Sequence, residues 1–234
     1  MVQSEQEVLK RLRSMSSPDA IKGMARFGIN TEKSLGVSIP QLRSLAKETG
    51  RDHALAERLW SSGIHEARIL ATMVDDPKAL TGRQMDRWVK DFDSWDVCDQ
   101  CCSNLFDKTD LAYQKAVEWA EREEEFVKRA GFVLMAALAV HDRKEPDERF
   151  MGFLPIIEKH STDERNFVKK AVNWALRQIG KRSVELNQRA IQTGVRIQLV
   201  DSSASKWIAS DALRELRSEP VRRRLNSKRV LAKA

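Results

Sequence analysis

The chain has 234 residues, 41% hydrophobic and 32% charged, a balance that fits a water-soluble globular protein of one substantial domain or two small ones. No run approaches the ~18 apolar residues of a membrane span, and the opening "MVQSEQEVLKRL" lacks the apolar core of a secretory signal, so a cytoplasmic protein with no membrane partner is expected. The net charge is +7, but "VRRRLNSKRVLAKA" (Val221 to Ala234) holds six basic residues and no acid, and without those six the remainder carries +1. The total therefore does not argue for nucleic acid; only a basic face on the folded body would.

In chain order nearly every segment reads as helix. "SSPDAIKGM" offers Ser17 as N-cap with Pro18 at the first helical position. "SIPQLRSLA" places Gln41 three residues after Ser38, the spacing of a capping box, and "TGRQMDRWV" repeats it with Thr81 and Gln84. The acid-rich "EREEEF" (Glu121 to Phe126) suits the first turn of a helix, where carboxylates complement the dipole. "HDRKEPDER" (His141 to Arg149) reads as a polar loop between repeats. "STDERNFVKKAVNWAL" offers a further capping spacing in Ser161 and Glu164. "VRIQLV" (Val195 to Val200) is the one short strand candidate, in a helical context. Trp60, Trp88, Trp119 and Trp207 occupy apolar-periodic contexts and read as core or inter-repeat packing.

An internal echo runs through these helices. "FVKRAGFVLMA" (Phe126 to Ala136) resembles "FVKKAVNWALR" (Phe167 to Arg177), and the alanine recurs at Ala130, Ala171 and Ala212, 41 residues apart each time. "IHEARILATMV" (Ile64 to Val74) has the same flavour, with Arg68 where Arg129 stands. A period near 40 with two helices per unit is the signature of HEAT-like repeats, whose units stack because none buries its own apolar face. The fold expected is all-α: a curved HEAT-like solenoid over residues 1–220 with a concave basic face, followed by a basic tail over 221–234. Lys170, Trp174 and Arg177 share a face by i, i+4 and i+7 spacing, with Lys169 beside them and the basic pair Lys128 and Arg129 in the echoing helix. Bases interleaved with an aromatic suit a phosphate backbone with an exposed sugar or base; the alternative is that Trp174 is core and the bases are a solvated rim.

The stretch "DFDSWDVCDQCC" (Asp91 to Cys102) collects four acids and three cysteines. Cys98, Cys101 and Cys102 have no second cysteine pair and no nearby histidine, which argues for small buried thiols rather than a zinc site. Trp95 and Asp99 lie four apart, stacked on one helical face. A carboxylate beside an indole stabilises a cation by direct charge and by cation–π attraction; the alternative is a core tryptophan with a surface aspartate.

From about Met24 through Leu213 the chain resembles the AlkD-like DNA alkylation repair proteins, HEAT-like all-helical DNA glycosylases. "LGVSIPQLRSLAKE", "SWDVCDQCCSNLF", "EEFVKRAGFVL" and "NFVKKAVNWALRQIGK" carry the likeness. The resemblance implies that Asp99 is the catalytic aspartate, that Trp95 and Trp174 contact the lesion-bearing deoxyribose, and that Arg129 faces the DNA backbone. It further implies a monomeric enzyme of base excision repair with no metal or cofactor. Its partner is double-stranded DNA carrying cationic N3- or N7-alkylated purines. Phe27 stands where the family has an aromatic with a hydroxyl. Two other readings use the same fold: a non-catalytic clamp for damaged or branched DNA, and a protein-binding scaffold.

Overall fold

The computed structural model describes residues 4–231, and side chains as far as 227. Among the described residues there is no strand, and no helix is long and apolar enough to cross a membrane. The contacts group the chain into two compact units, Met1–Leu111 and Ala112–Ala234.

The first unit contains α1 (Glu5–Ser14), α2 (Pro18–Arg26), α3 (Ile39–Thr49), α4 (His53–Ser61), α5 (His65–Val74), α6 (Gly82–Lys90) and α7 (Trp95–Asn104). Local chemistry sets many of the starts. Ser17 accepts from the Ala20 N–H with Pro18 in the first turn, and Ser38 with Gln41 forms the expected capping box. At α6 only half the box forms: Thr81 accepts from the Gln84 N–H at 3.2 Å, while the Gln84 amide donates to Asp75 at 2.9 Å. The core is built around Trp60 and Trp88, whose rings stack at 4.0 Å and 3°. The buried Glu66 carboxylate accepts from the backbone N–H groups of Leu35 and Gly36 at 2.8 and 2.6 Å, satisfying donors that would otherwise be orphaned in a loop.

The second unit contains α8 (Ala112–Ala120), α9 (Glu125–His141), α10 (Asp147–Met151), α11 (Leu154–Lys159), α12 (Asn166–Gly180), α13 (Val184–Gln198), α14 (Ser203–Leu216) and α15 (Glu219–Leu231). The strand candidate Val195–Val200 lies at the end of α13 and beyond it. Of the polar stretch His141 to Arg149, residues 142–146 form a loop between α9 and α10 while Asp147 to Arg149 begin α10, and the Arg182 guanidinium donates to the carbonyls of Asp142 and Glu145 in that loop. The basic segment from Val221 enters α15 and buries Val221 and Leu225.

The recurring alanines Ala130, Ala171 and Ala212 are all fully buried, on α9, α12 and α14. The echo between Arg68 and Arg129 has a structural meaning as well. Each guanidinium reaches from its own helix to a main-chain carbonyl later in its own unit. Arg68 donates to Asp91 at 3.0 Å, and Arg129 to Phe167 at 2.6 Å. A charge-assisted tie of this kind is worth about 1.5–3 kcal/mol.

Two expectations from the sequence, one a cap and one a buried tryptophan, are corrected. Ser161 and Glu164 do not cap α12. Ser161 is buried against Ser205 at 3.1 Å, and Glu164 accepts instead from the Ser202 and Ser203 hydroxyls and the Ala204 N–H at 3.0, 2.7 and 3.0 Å. The carboxylate thus anchors the first turn of α14. Trp207 is the second correction: Trp60, Trp88 and Trp119 are core, at most 2% exposed, whereas Trp207 is 41% exposed.

Candidate nucleic-acid site

The site proposed from sequence begins on α7. Its three cysteines are fully buried, and burial pushes the Cys101 and Cys102 thiols well up, with the neighbouring Cys98 adding to the effect. Among the described residues no group of three His, Cys, Asp or Glu side chains is placed to hold a metal. Thiols enclosed in apolar surroundings are inert toward reagents in solution. Ellman's reagent should therefore leave all three unmodified in the native protein over a period in which it titrates them fully in guanidinium; rapid native labelling would show that α7 opens.

With one edge of α7 packed by Val97, Cys98, Cys101 and Cys102, the half-buried Trp95 and Asp99 fall on another edge, one turn apart. Trp95 is fixed at its polar tip, the indole N–H donating to the Phe27 carbonyl at 3.0 Å. The Phe27 ring is 73% exposed.

Three of the four acids in the stretch hold the loop and the helix start. The Asp91 carboxylate accepts from the Trp60 indole N–H at 2.8 Å. Asp93 accepts from the Asn30 amide at 3.0 Å and lies 3.9 Å from the Arg68 guanidinium. Asp96 meets the His65 imidazole at 2.8 Å and the Ser94 hydroxyl at 2.6 Å. A small polar cleft of about 130 Å³ lies against this scaffold, with Lys33, His65, Arg68 and Asp93 in its wall. Asp99 stands a turn beyond the anchored start, four residues after Trp95 on the same helix.

The His65–Asp96 pair is largely enclosed. Burial alone would lower the imidazole pKa, but the hydrogen bond and charge of Asp96, joined by Glu66 and Asp93, outweigh it and the net direction is up. For Asp96 burial alone would raise the value, and the hydrogen bond and charge of His65, with the Ser94 hydroxyl and the Val97 N–H, outweigh it and hold it low. A raised imidazole stabilises the fold fully below its ordinary value of about 6.5, and that contribution fades as pH rises through the raised value. A lowered carboxylate contributes above its ordinary value of about 3.9 and loses that as pH falls through the lowered one. The pair therefore contributes most between about pH 4 and 6.5. In thermal melts, the midpoint of the wild type should fall between about pH 6 and pH 8 by more than that of His65→Gln. Equal falls would mean that the pair does not hold α7.

The remaining sequence-derived residues belong to the second unit. Trp174 is half-buried on α12 and Lys170 is exposed. The Lys169 ammonium lies over the Trp207 ring, 5.5 Å from its centroid. The other three cations are engaged within the fold. Lys128 is 5% exposed and sits 3.6 Å from Glu123 and 3.9 Å from Asp163. Arg129 is 6% exposed and bound to the Phe167 carbonyl. Arg177 meets Asp211 at 3.2 Å and Glu215 at 3.0 Å. A run of thirteen consecutive buried residues of α9, Val127 to Ala139, includes Lys128 and Arg129, so their charges are satisfied inside the unit, as buried charges must be.

The fold is that of the HEAT-like repeat proteins. A solved structure described as "A new family of proteins related to the HEAT-like repeat DNA glycosylases with affinity for branched DNA structures" superposes with a TM-score of 0.76 and 20% identity, covering 91% of this chain and 95% of the other. The sequence profile described as "DNA alkylation repair enzyme" matches residues 8–216. The chain belongs to that DNA alkylation repair family. No curated protein shows significant sequence similarity to it.

Proposed function

We propose that the protein is a monofunctional DNA glycosylase of base excision repair. It hydrolyses the N-glycosidic bond of N3- and N7-alkylated purines in duplex DNA, acting as a monomer without a metal or cofactor. The observation that carries this reading is the pairing of Trp95 and Asp99 on one half-exposed edge of α7, in a helix whose start is clamped by Asp91, Asp93 and Asp96. A cationic purine leaves with the electron pair of the bond to C1′ and needs no proton from the protein. What the protein must stabilise is the electron-poor sugar left behind. The Asp99 carboxylate offsets its charge, the Trp95 face adds cation–π attraction, and Asp99 accepts the proton of the water that adds to C1′. Within the second unit, Trp174 is a half-buried indole on α12, and Lys169 and Lys170 are cations that can meet phosphates.

The experiment is release of N7-methylguanine and N3-methyladenine from alkylated duplex DNA, read by chromatography of the freed bases. A wild-type protein that releases no more than the uncatalysed background overturns the enzymatic reading.

A second reading is a clamp for branched or damaged DNA that breaks no bond. Two observations favour it: the affinity for branched DNA attributed to the structurally similar protein, and Phe27, which brings no hydroxyl. In that case a four-way junction is bound more tightly than duplex and no base is released.

A further inference from the structure

The seam between α12 and α14 is a ladder of cross-helix contacts, and one rung differs from the others. At one end, Glu164 is taken up by the hydroxyls of Ser202 and Ser203 and the N–H of Ala204. Toward the other end, Arg177 meets Asp211 at 3.2 Å, and Lys181 meets Glu215 at 2.6 Å. Each of those rungs joins a cation in α12 or at its C-cap to an acid of α14. Ser203, Trp207, Asp211 and Glu215 follow one another four residues apart, so they form one row of α14. At Trp207 the row carries an indole where its next two positions carry acids. The facing cation is Lys169, 5.5 Å from the ring centroid.

This rung is open to solvent. Trp207 is 41% exposed, Lys169 is half-buried and the neighbouring Lys170 is exposed. The other lysine nearby, Lys206, is already paired with Asp201 at 2.7 Å. Leaving a large indole face in water forfeits apolar burial that the rest of α14 obtains through Ile208, Ala212 and Leu216. An ammonium at the rim of an exposed indole has the make-up of a nucleotide-binding unit: the cation meets a phosphate and the ring packs on the adjoining sugar or base.

We propose that Trp207 and Lys169 form a DNA-backbone contact, in which one nucleotide packs its deoxyribose on the Trp207 face and its phosphate on the Lys169 ammonium. The contact rests on the reading of the chain as a DNA-binding protein, and it does not require that the chain cleave a bond.

The test is equilibrium binding of the full chain to a short fluorescein-labelled duplex, followed by anisotropy across a salt series. Trp207→Ala should weaken binding about tenfold at every salt concentration, because a stacking contact is removed. Lys169→Gln should weaken it about threefold at low salt and reduce the slope of log K against log salt by about one, the mark of a lost phosphate contact. Lys169→Arg should restore that slope. Trp207→Phe should keep binding within about threefold of wild type, since it retains an aromatic face. The last two variants also cover the case in which Trp207→Ala fails to fold. If wild type binds and both Trp207→Ala and Lys169→Gln bind within twofold of it, this contact is overturned and the proposed function stands. If wild type binds no DNA, both fall. If it binds, responds to these substitutions and releases no base, the contact stands and only the glycosylase reading fails.

Discussion

Asp99→Asn should reduce release of N7-methylguanine from alkylated duplex about 10²–10³-fold, the scale of losing one preorganised electrostatic contact to a developing charge. Its affinity for the same duplex should stay within about twofold of wild type. The substitution preserves shape and removes only charge and basicity, so it separates the transition-state role from binding. Asp96→Asn is the informative contrast on the same helix. Asp96 is held by His65 and Ser94 at 2.8 and 2.6 Å, so its neutral replacement loosens the start of α7 and should lower the thermal midpoint with a smaller loss of rate. The two substitutions thus assign chemistry to one carboxylate and architecture to the other. Should Asp99→Asn release base as fast as wild type, the sugar-cation mechanism is wrong. An equal collapse of rate in both variants, each with a lowered midpoint, would make Asp99 another structural acid.

The contrast between those two aspartates is also where the sequence was and was not legible. Signals contained within one turn read correctly: Ser38 with Gln41 caps α3 as its spacing predicts, and the recurrent alanines mark buried helix contacts. Signals that depend on a distant partner did not. Ser161 and Glu164 have a capping spacing, yet Glu164 goes to Ser202, Ser203 and Ala204, about 40 residues on, because those hydroxyls and that N–H lie across the α12–α14 seam. The phosphate-facing expectation for Lys128 came from reading a basic stripe, and that for Arg129 came also from the family resemblance. The pattern did contain a warning, since "FVKRAGFVLMAALA" is apolar nearly all round, and charges on such a helix are buried and paired. Trp207 was similarly separable: the buried positions of α14, Ala204, Ile208, Ala212 and Leu216 with their neighbours Ser205, Ala209 and Leu213, form a stripe that excludes position 207. At the candidate site, the Trp95–Asp99 spacing was visible. The Phe27 carbonyl that holds the Trp95 indole lies in a non-helical turn 68 residues earlier, and no local pattern reports it.

Gly131→Ala should destabilise the second unit by about 2–3 kcal/mol, the upper range for forcing one extra carbon into a packed helix contact. Helix propensity alone predicts the opposite sign, since alanine is favoured over glycine inside a helix by about 1 kcal/mol. The geometry decides. A Cβ on Gly131 would sit 2.4 Å from the Ala120 nitrogen, 2.8 Å from its Cα and 2.9 Å from the Ala116 carbonyl oxygen. All three are main-chain atoms of α8, so no side-chain rotation relieves the clash, and α8 must move off α9. Gly23→Ala isolates the propensity effect: Gly23 lies within α2 and an added Cβ meets nothing within 4 Å. That variant should gain about 0.5–1 kcal/mol. For a chain of this size each kcal/mol shifts the thermal midpoint by about 2–4 °C, so the two alanine variants should move in opposite directions by amounts that calorimetry separates. A stabilised Gly131→Ala would mean that α8 and α9 pack more loosely than these distances require. The buried run that fixes Arg129 against the α12 backbone would then lose its footing.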